Sequence, residues 1–228
     1  MKTEPHARII SEFEQLVEGT HFPCFAGRTA QRRQLVDHLF AGHMACPADD
    51  HALAEGIARF ATDNKPEDTF RSLVVHFEGS EPVPEQVFED LLFARLQGIH
   101  EVDARAHAWD SSVSDDADDP GFSMSIGGKA FYVVGLHPGA SRPARRLAHP
   151  ALVFNLHSQF EYLRQAGRYE RLKGAIIDED IARNGSANPM LAVHGESSEA
   201  IQYSGRHITG EWHCPFAAVH PQTDRTTA

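Results

Sequence analysis

Residues 122–146 read FSMSIGGKAFYVVGLHPGASRPARR, and they set the reading of the fold. Phe122–Ile126 and Lys129–Leu136 are two short runs joined by Gly127-Gly128, the pattern of a β-hairpin with a glycine turn. The run Phe131–Leu136 has the length and the β-branched and aromatic content of a buried strand. It stops at His137, where Pro138 and Gly139 fix a turn. Arg142, Arg145 and Arg146 follow at once. An imidazole beside clustered fixed charge suits an anionic metal cofactor or a phosphate ligand. A strand-capping histidine followed by a solvated basic turn gives the same pattern.

Outward from the hairpin, helices dominate. Ile9, Ile10, Phe13, Leu16 and Val17 fall on one stripe, so residues 6–18 are expected to be helical. The same argument predicts helices over 30–40 (Leu35, Val36, Leu39, Phe40), 50–62 and 84–99. Residues 70–77, FRSLVVHF, read as a strand. Pro150 suits the first turn of a helix, so PALVFNLHSQFEYLRQAG is read as one helix ending at Gly167, with another over 169–183. The acidic stretch 107–121 is taken as a surface loop, because it lacks the glycine and closing glutamate of a calcium-binding EF-hand. The expectation is an α+β fold: a small antiparallel sheet covered by several helices in a single domain. An N-terminal helix lies within 1–19, the body spans 20–216, and 217–228 form a flexible tail.

Composition narrows the classes. The chain has 228 residues, 41% hydrophobic and 23% charged, with a formal net charge of -11. That acidity argues against nonspecific binding to nucleic acid or to an anionic membrane. Cys24, Cys46 and Cys214 are odd in number and lack CxxC spacing, so neither a disulfide framework nor a four-thiolate zinc site is expected. The N-terminal residues show no secretory h-region and no apolar run reaches membrane-spanning length, which makes the cytoplasm the default compartment.

Four groups can carry chemistry. His137 with Arg142, Arg145 and Arg146 suits an iron ligand beside carboxylate-binding guanidinium groups; the GxxxxGK[ST] phosphate loop is absent. His157, flanked by Phe154, Leu156 and Phe160 and one turn from Glu161, is either a haem ligand in an apolar setting or a core histidine. His100 with Asp103 closes a helix, as an acid/base or metal-binding histidine or simply as a favourable charge at a helix end. Glu196 and Glu199 suit a cationic substrate such as a guanidinium, or the start of a helix.

Read together, HFPCFAGRTA, HEVDARAHAWD, the hairpin segment, HPALVFNLHSQFEYLR, NPMLAVHGESSEAIQYSGR and WHCPF resemble the YqcI/YcgG family over most of 20–216. Some members of that family look like haem-dependent N-hydroxylases of guanidino groups, as in D-cycloserine and guanitoxin biosynthesis. The resemblance implies b-type haem, dioxygen, an electron donor and a small cationic substrate. The resemblance does not settle which histidine binds iron; His137 ranks first for its arginine neighbours, with His157 as the alternative. His157 and His100 are the catalytic candidates, Phe160 packs on the cofactor, Arg142, Arg145 and Arg146 hold propionates, and Glu161, Glu196 and Glu199 hold the substrate. A haem carrier or sensor without turnover, and a non-haem metal enzyme using His100, His157 and a carboxylate, stay open, as does a homodimer.

Overall fold

The computed structural model describes residues 4–65, 70–186 and 197–220. Their order is α1 (Glu4–Glu18), α2 (Phe25–Arg32), β1 (Val36–Ala41), α3 (Asp50–Asp63), β2 (Ser72–Phe77), α4 (Glu85–Asp103), β3 (Met124–Ile126), β4 (Lys129–Leu136), β5 (Ala151–Leu156), α5 (His157–Gln165) and α6 (Tyr169–Asn184). Short 3-10 turns lie at Pro47–Asp49, Pro143–Arg145 and Glu199–Gln202. The fold is α+β, built on one five-stranded sheet in the order β1-β2-β5-β4-β3. Every strand pair is antiparallel except β1 with β2, which are joined through α3 and run parallel. The sheet is therefore mixed where a purely antiparallel one was expected.

The hairpin forms as read, with Gly127 and Gly128 at φ 64° and 68°. Two expected helices are corrected. The segment after Pro150 is not one helix: Ala151–Leu156 is the strand between β2 and β4, and α5 starts only at His157. A strand covered on both faces shows a continuous apolar run, which periodicity does not separate from a buried helix. Residues 30–40 likewise divide into the end of α2 and the edge strand β1, broken at Gln34 with φ 57°.

Strand alternation sends successive side chains to opposite faces. Leu73, Val75, Phe131, Val133, Leu152 and Phe154 join Leu53, Ile57, Phe88, Leu92 and Leu96 of α3 and α4 in the main core. Val74, Leu136 and Ala151, with Val134 and Val153 beside them, face the other way and pack with Phe13 and Val17 of α1. The N-terminal helix is thus built into the second face. Residues 217–220, the described start of the tail, dock on α4: Ala217 exchanges bonds with Gln97, and Val219 N–H donates to His100 Nε2 at 2.9 Å. Among the described residues no helix is long and apolar enough to cross a membrane, and all three cysteines are free.

Candidate functional site

The second sheet face is not filled by side chains. A cavity of about 400 Å³ lies between it and the surrounding helices, within the usual size of small-molecule sites. Val36, Ser72, Tyr132, Val134, Val153 and Asn155 form its floor; Phe13 and Val17 of α1, Ala30 of α2, Phe160 and Leu163 of α5, and Leu172, Ile176 and Ile177 of α6 form its other walls. Leu172, Ile176 and Ile177 of α6 are only half-buried, and Asp180 is the one buried residue of that helix. Its apolar face therefore looks onto the cavity rather than into a packed core.

His157 is the one histidine on this wall among the described residues. The switch from β5 to α5 places it there as the first helical residue. Its ring stacks on Tyr132 with centroids 4.9 Å apart, and Phe160 meets Tyr132 edge-on at 4.8 Å. Burial pushes the Tyr132 phenol above its ordinary range, and its hydroxyl accepts from Arg164 Nη2 at 3.3 Å. Arg164 also pairs with Glu161 and lies over the Tyr169 ring at 4.1 Å. Behind His157, which also lines it, is a second pocket of about 310 Å³ with Asp110, Lys129, Ser158 and Glu161 in its wall. Glu161 Oε1, 3.8 Å from His157 Nε2, faces that outer pocket and not the cavity.

The arginine cluster separates on folding. Arg142 reaches the cavity wall and holds Asp180 of α6 through both carboxylate oxygens at 2.6 and 2.7 Å. Arg145 also reaches the wall, but its guanidinium donates to the carbonyls of Gly135, Gln202 and Tyr203, and burial lowers it to about 10. Arg146 points elsewhere and donates to Ala140 O and Ser141 O. Lys173 of α6, which the sequence did not single out, supplies a further cation on the wall.

His137 is not on the cavity wall. It is 1% exposed, stacked on Phe88 of α4 with centroids 4.0 Å apart, and neither ring nitrogen has a hydrogen-bond partner among the described residues. Burial lowers it to about 4. The turn after β4 thus carries His137 to the α4 side and Arg142 and Arg145 to the cavity side. His100 is also remote: its ring meets Trp109 and Phe216 edge-on, and Nε2 accepts from Val219. His100 and His157 therefore do not assemble the non-haem centre considered from sequence, and among the described residues no group of three or more histidine, cysteine or acidic side chains is placed to hold a metal ion. Glu199 lines the cavity, with Tyr203 Oη 2.6 Å from its Oε1. Glu196 lies outside the described residues.

A histidine chain also escaped sequence reading. His38 Nδ1 lies 2.9 Å from His76 Nε2, His76 Nδ1 lies 2.9 Å from His149 Nε2, and His149 Nδ1 is 3.3 Å from Glu12. His76 is fully buried and burial lowers it to about 2, so it is neutral. These residues hold α1 on the sheet beyond the cavity. Strand alternation signals only that His76 shares a face with Val74.

The donor set on the cavity wall fits a haem. An imidazole is the usual proximal ligand, apolar walls exclude water, and cations at the margin match the porphyrin's carboxylates. His157, Phe160, Leu163, Ile176, Arg142 and Lys173 are the residues on the wall that can serve these roles.

A model of the YqcI/YcgG family matches residues 13–217, and the chain belongs to that family. No curated protein and no solved structure gives a match.

Proposed function

We propose that this member of the YqcI/YcgG family binds b-type haem in the cavity and N-hydroxylates a cationic guanidino or amino compound, using dioxygen and an external reductant. One observation carries the reading: His157 presents an imidazole on the wall of a largely apolar cavity, where His137 and His100 do not. When bound, the haem supplies the one-electron and dioxygen chemistry that side chains lack.

The rest falls to the chain. Tyr132 stacks under the His157 ring and fixes its orientation, and Glu161 Oε1 lies 3.8 Å from Nε2 on the outer side. Phe160, Leu163, Leu172 and Ile176 keep water from the reacting region. Lys173 and Arg142 offer cations to carboxylates, Arg142 while tied to Asp180. Arg145 acts one step back: by holding the carbonyls of Gln202 and Tyr203 it fixes the turn that carries Glu199.

The test is a hemin titration of the purified protein, followed by incubation with reductant, dioxygen and a panel of guanidino and amino compounds. Stoichiometric uptake with a Soret band, and a product heavier by one oxygen atom, are expected. A Soret band without product on any compound favours a haem carrier or sensor; no uptake removes the proposal.

A further inference from the structure

Among the described residues, three buried carboxylates are paired with arginines. Asp50 pairs with Arg95, Asp180 with Arg142, and Glu89 with Arg206. Asp103 is satisfied by the Gly127 N–H and by His107. Glu199, half-buried on the cavity wall, differs. Its side chain faces the cavity, and among the described residues no lysine, arginine or histidine nitrogen forms an ion pair with it. Its partner is Tyr203, whose Oη accepts from Met124 N–H at 3.1 Å and so has its own hydrogen to direct at Glu199 Oε1, 2.6 Å away.

We propose that Glu199 is the cation-recognising group of the cavity, that it rests as a neutral acid, and that it releases its proton when a compact organic cation enters. The exchange balances: the carboxyl O–H bond breaks, the proton leaves to solvent, and the carboxylate pairs with the guanidinium or ammonium group. The inference rests on the cavity being the substrate site; it does not need haem.

A carboxylate stripped of most of its water and left without a cation favours its neutral form, and here desolvation outweighs the hydrogen bond from Tyr203. Burial pushes Glu199 up to about 8, against an ordinary 4.5. The ionisable groups that face it are Tyr203 of its own turn, Tyr132 of β4 and Arg164 of α5. Both phenols are held neutral by burial, and Arg164 is engaged with Glu161. An incoming cation supplies the missing partner, and the apolar walls accept its stem. The pair is also selective, because a neutral isostere leaves the acid protonated and gains no ion pair.

The experiment is titration calorimetry of the purified protein with n-butylguanidinium at pH 7, in buffers of different ionisation enthalpy. Release of about one proton per bound cation is expected, since a group of pKa near 8 is about nine-tenths protonated at pH 7. Glu199→Gln should release none and bind at least tenfold more weakly. n-Butylurea should bind weakly and release none even to the unsubstituted protein. The resting state is read separately, from an infrared carboxylic-acid band at pH 6 that Glu199→Gln abolishes. Binding without proton release, absence of n-butylguanidinium binding, an unchanged Glu199→Gln variant, or absence of that band overturns the proposal. Haem uptake is scored on its own by absorption, so the two readings fail separately.

Discussion

Replacing His137 with phenylalanine should stabilise this protein, and more so as the pH falls. The ring is 1% exposed, lies 4.0 Å from Phe88 in a stacked pair, and leaves both nitrogens without partners among the described residues. Each buried polar atom left unsatisfied costs about 1–3 kcal/mol. Phenylalanine keeps the stack and removes both atoms, but its slightly larger ring has to fit a closed site, and overpacking costs about 1–3 kcal/mol. At pH 7 the net effect is a modest gain. The pH dependence is free of the packing term. Burial lowers His137 from 6.5 to about 4, so below pH 6.5 the unfolded chain binds a proton that the folded one does not. Stability then falls with pH, by about 1.4 kcal/mol per unit. From pH 7 to pH 5 the unsubstituted protein should lose about 2 kcal/mol at this site, and the variant should not. Urea unfolding of both proteins at pH 7, 6 and 5 measures the difference. A gap that stays constant, or narrows toward pH 5, refutes the placement of a neutral, unpartnered imidazole at this position.

Two further outcomes follow from the same geometry. Arg145→Met leaves the carbonyls of Gly135, Gln202 and Tyr203 without their guanidinium donor, and should cost about 3 kcal/mol or more in urea unfolding; a loss below about 1 kcal/mol would contradict its role as a structural tie. Glu199→Gln should act in the opposite sense with pH. Its folded pKa is raised from 4.5 to about 8, so its contribution to stability is fully present below 4.5 and is lost as the pH rises through 8. At pH 7 the variant should gain up to about 3 kcal/mol over the unsubstituted protein, and near pH 4.5 almost nothing.

What the sequence discloses follows its physics. The hairpin was legible because Gly127-Gly128 interrupts two β-rich runs, and α4 because Phe88, Leu92, Leu96 and Ile99 repeat on one face. β5 was not, because a strand buried on both faces loses the period-2 alternation that marks a half-exposed one. That error carried into the site: with 150–167 taken as one helix, His157 sat mid-helix rather than at a strand-to-helix junction opening on a cavity. His137 and the arginines are adjacent in sequence, yet the turn sends His137 to one side of the sheet and Arg142 and Arg145 to the other. Glu161 and Glu199 were alike as acids; only the fold assigns one to the outer pocket and the other to the cavity. Lys173 and the His38–His76–His149 chain had no local motif, since their neighbours come from distant segments.

The most direct test of the account is a hemin titration followed by absorption in three proteins: unsubstituted, His157→Ala and His137→Phe. The account expects a stoichiometric Soret band in the first and third and its loss or shift in the second. Loss with His137→Phe while His157→Ala keeps the spectrum, or no uptake by the unsubstituted protein, would contradict it.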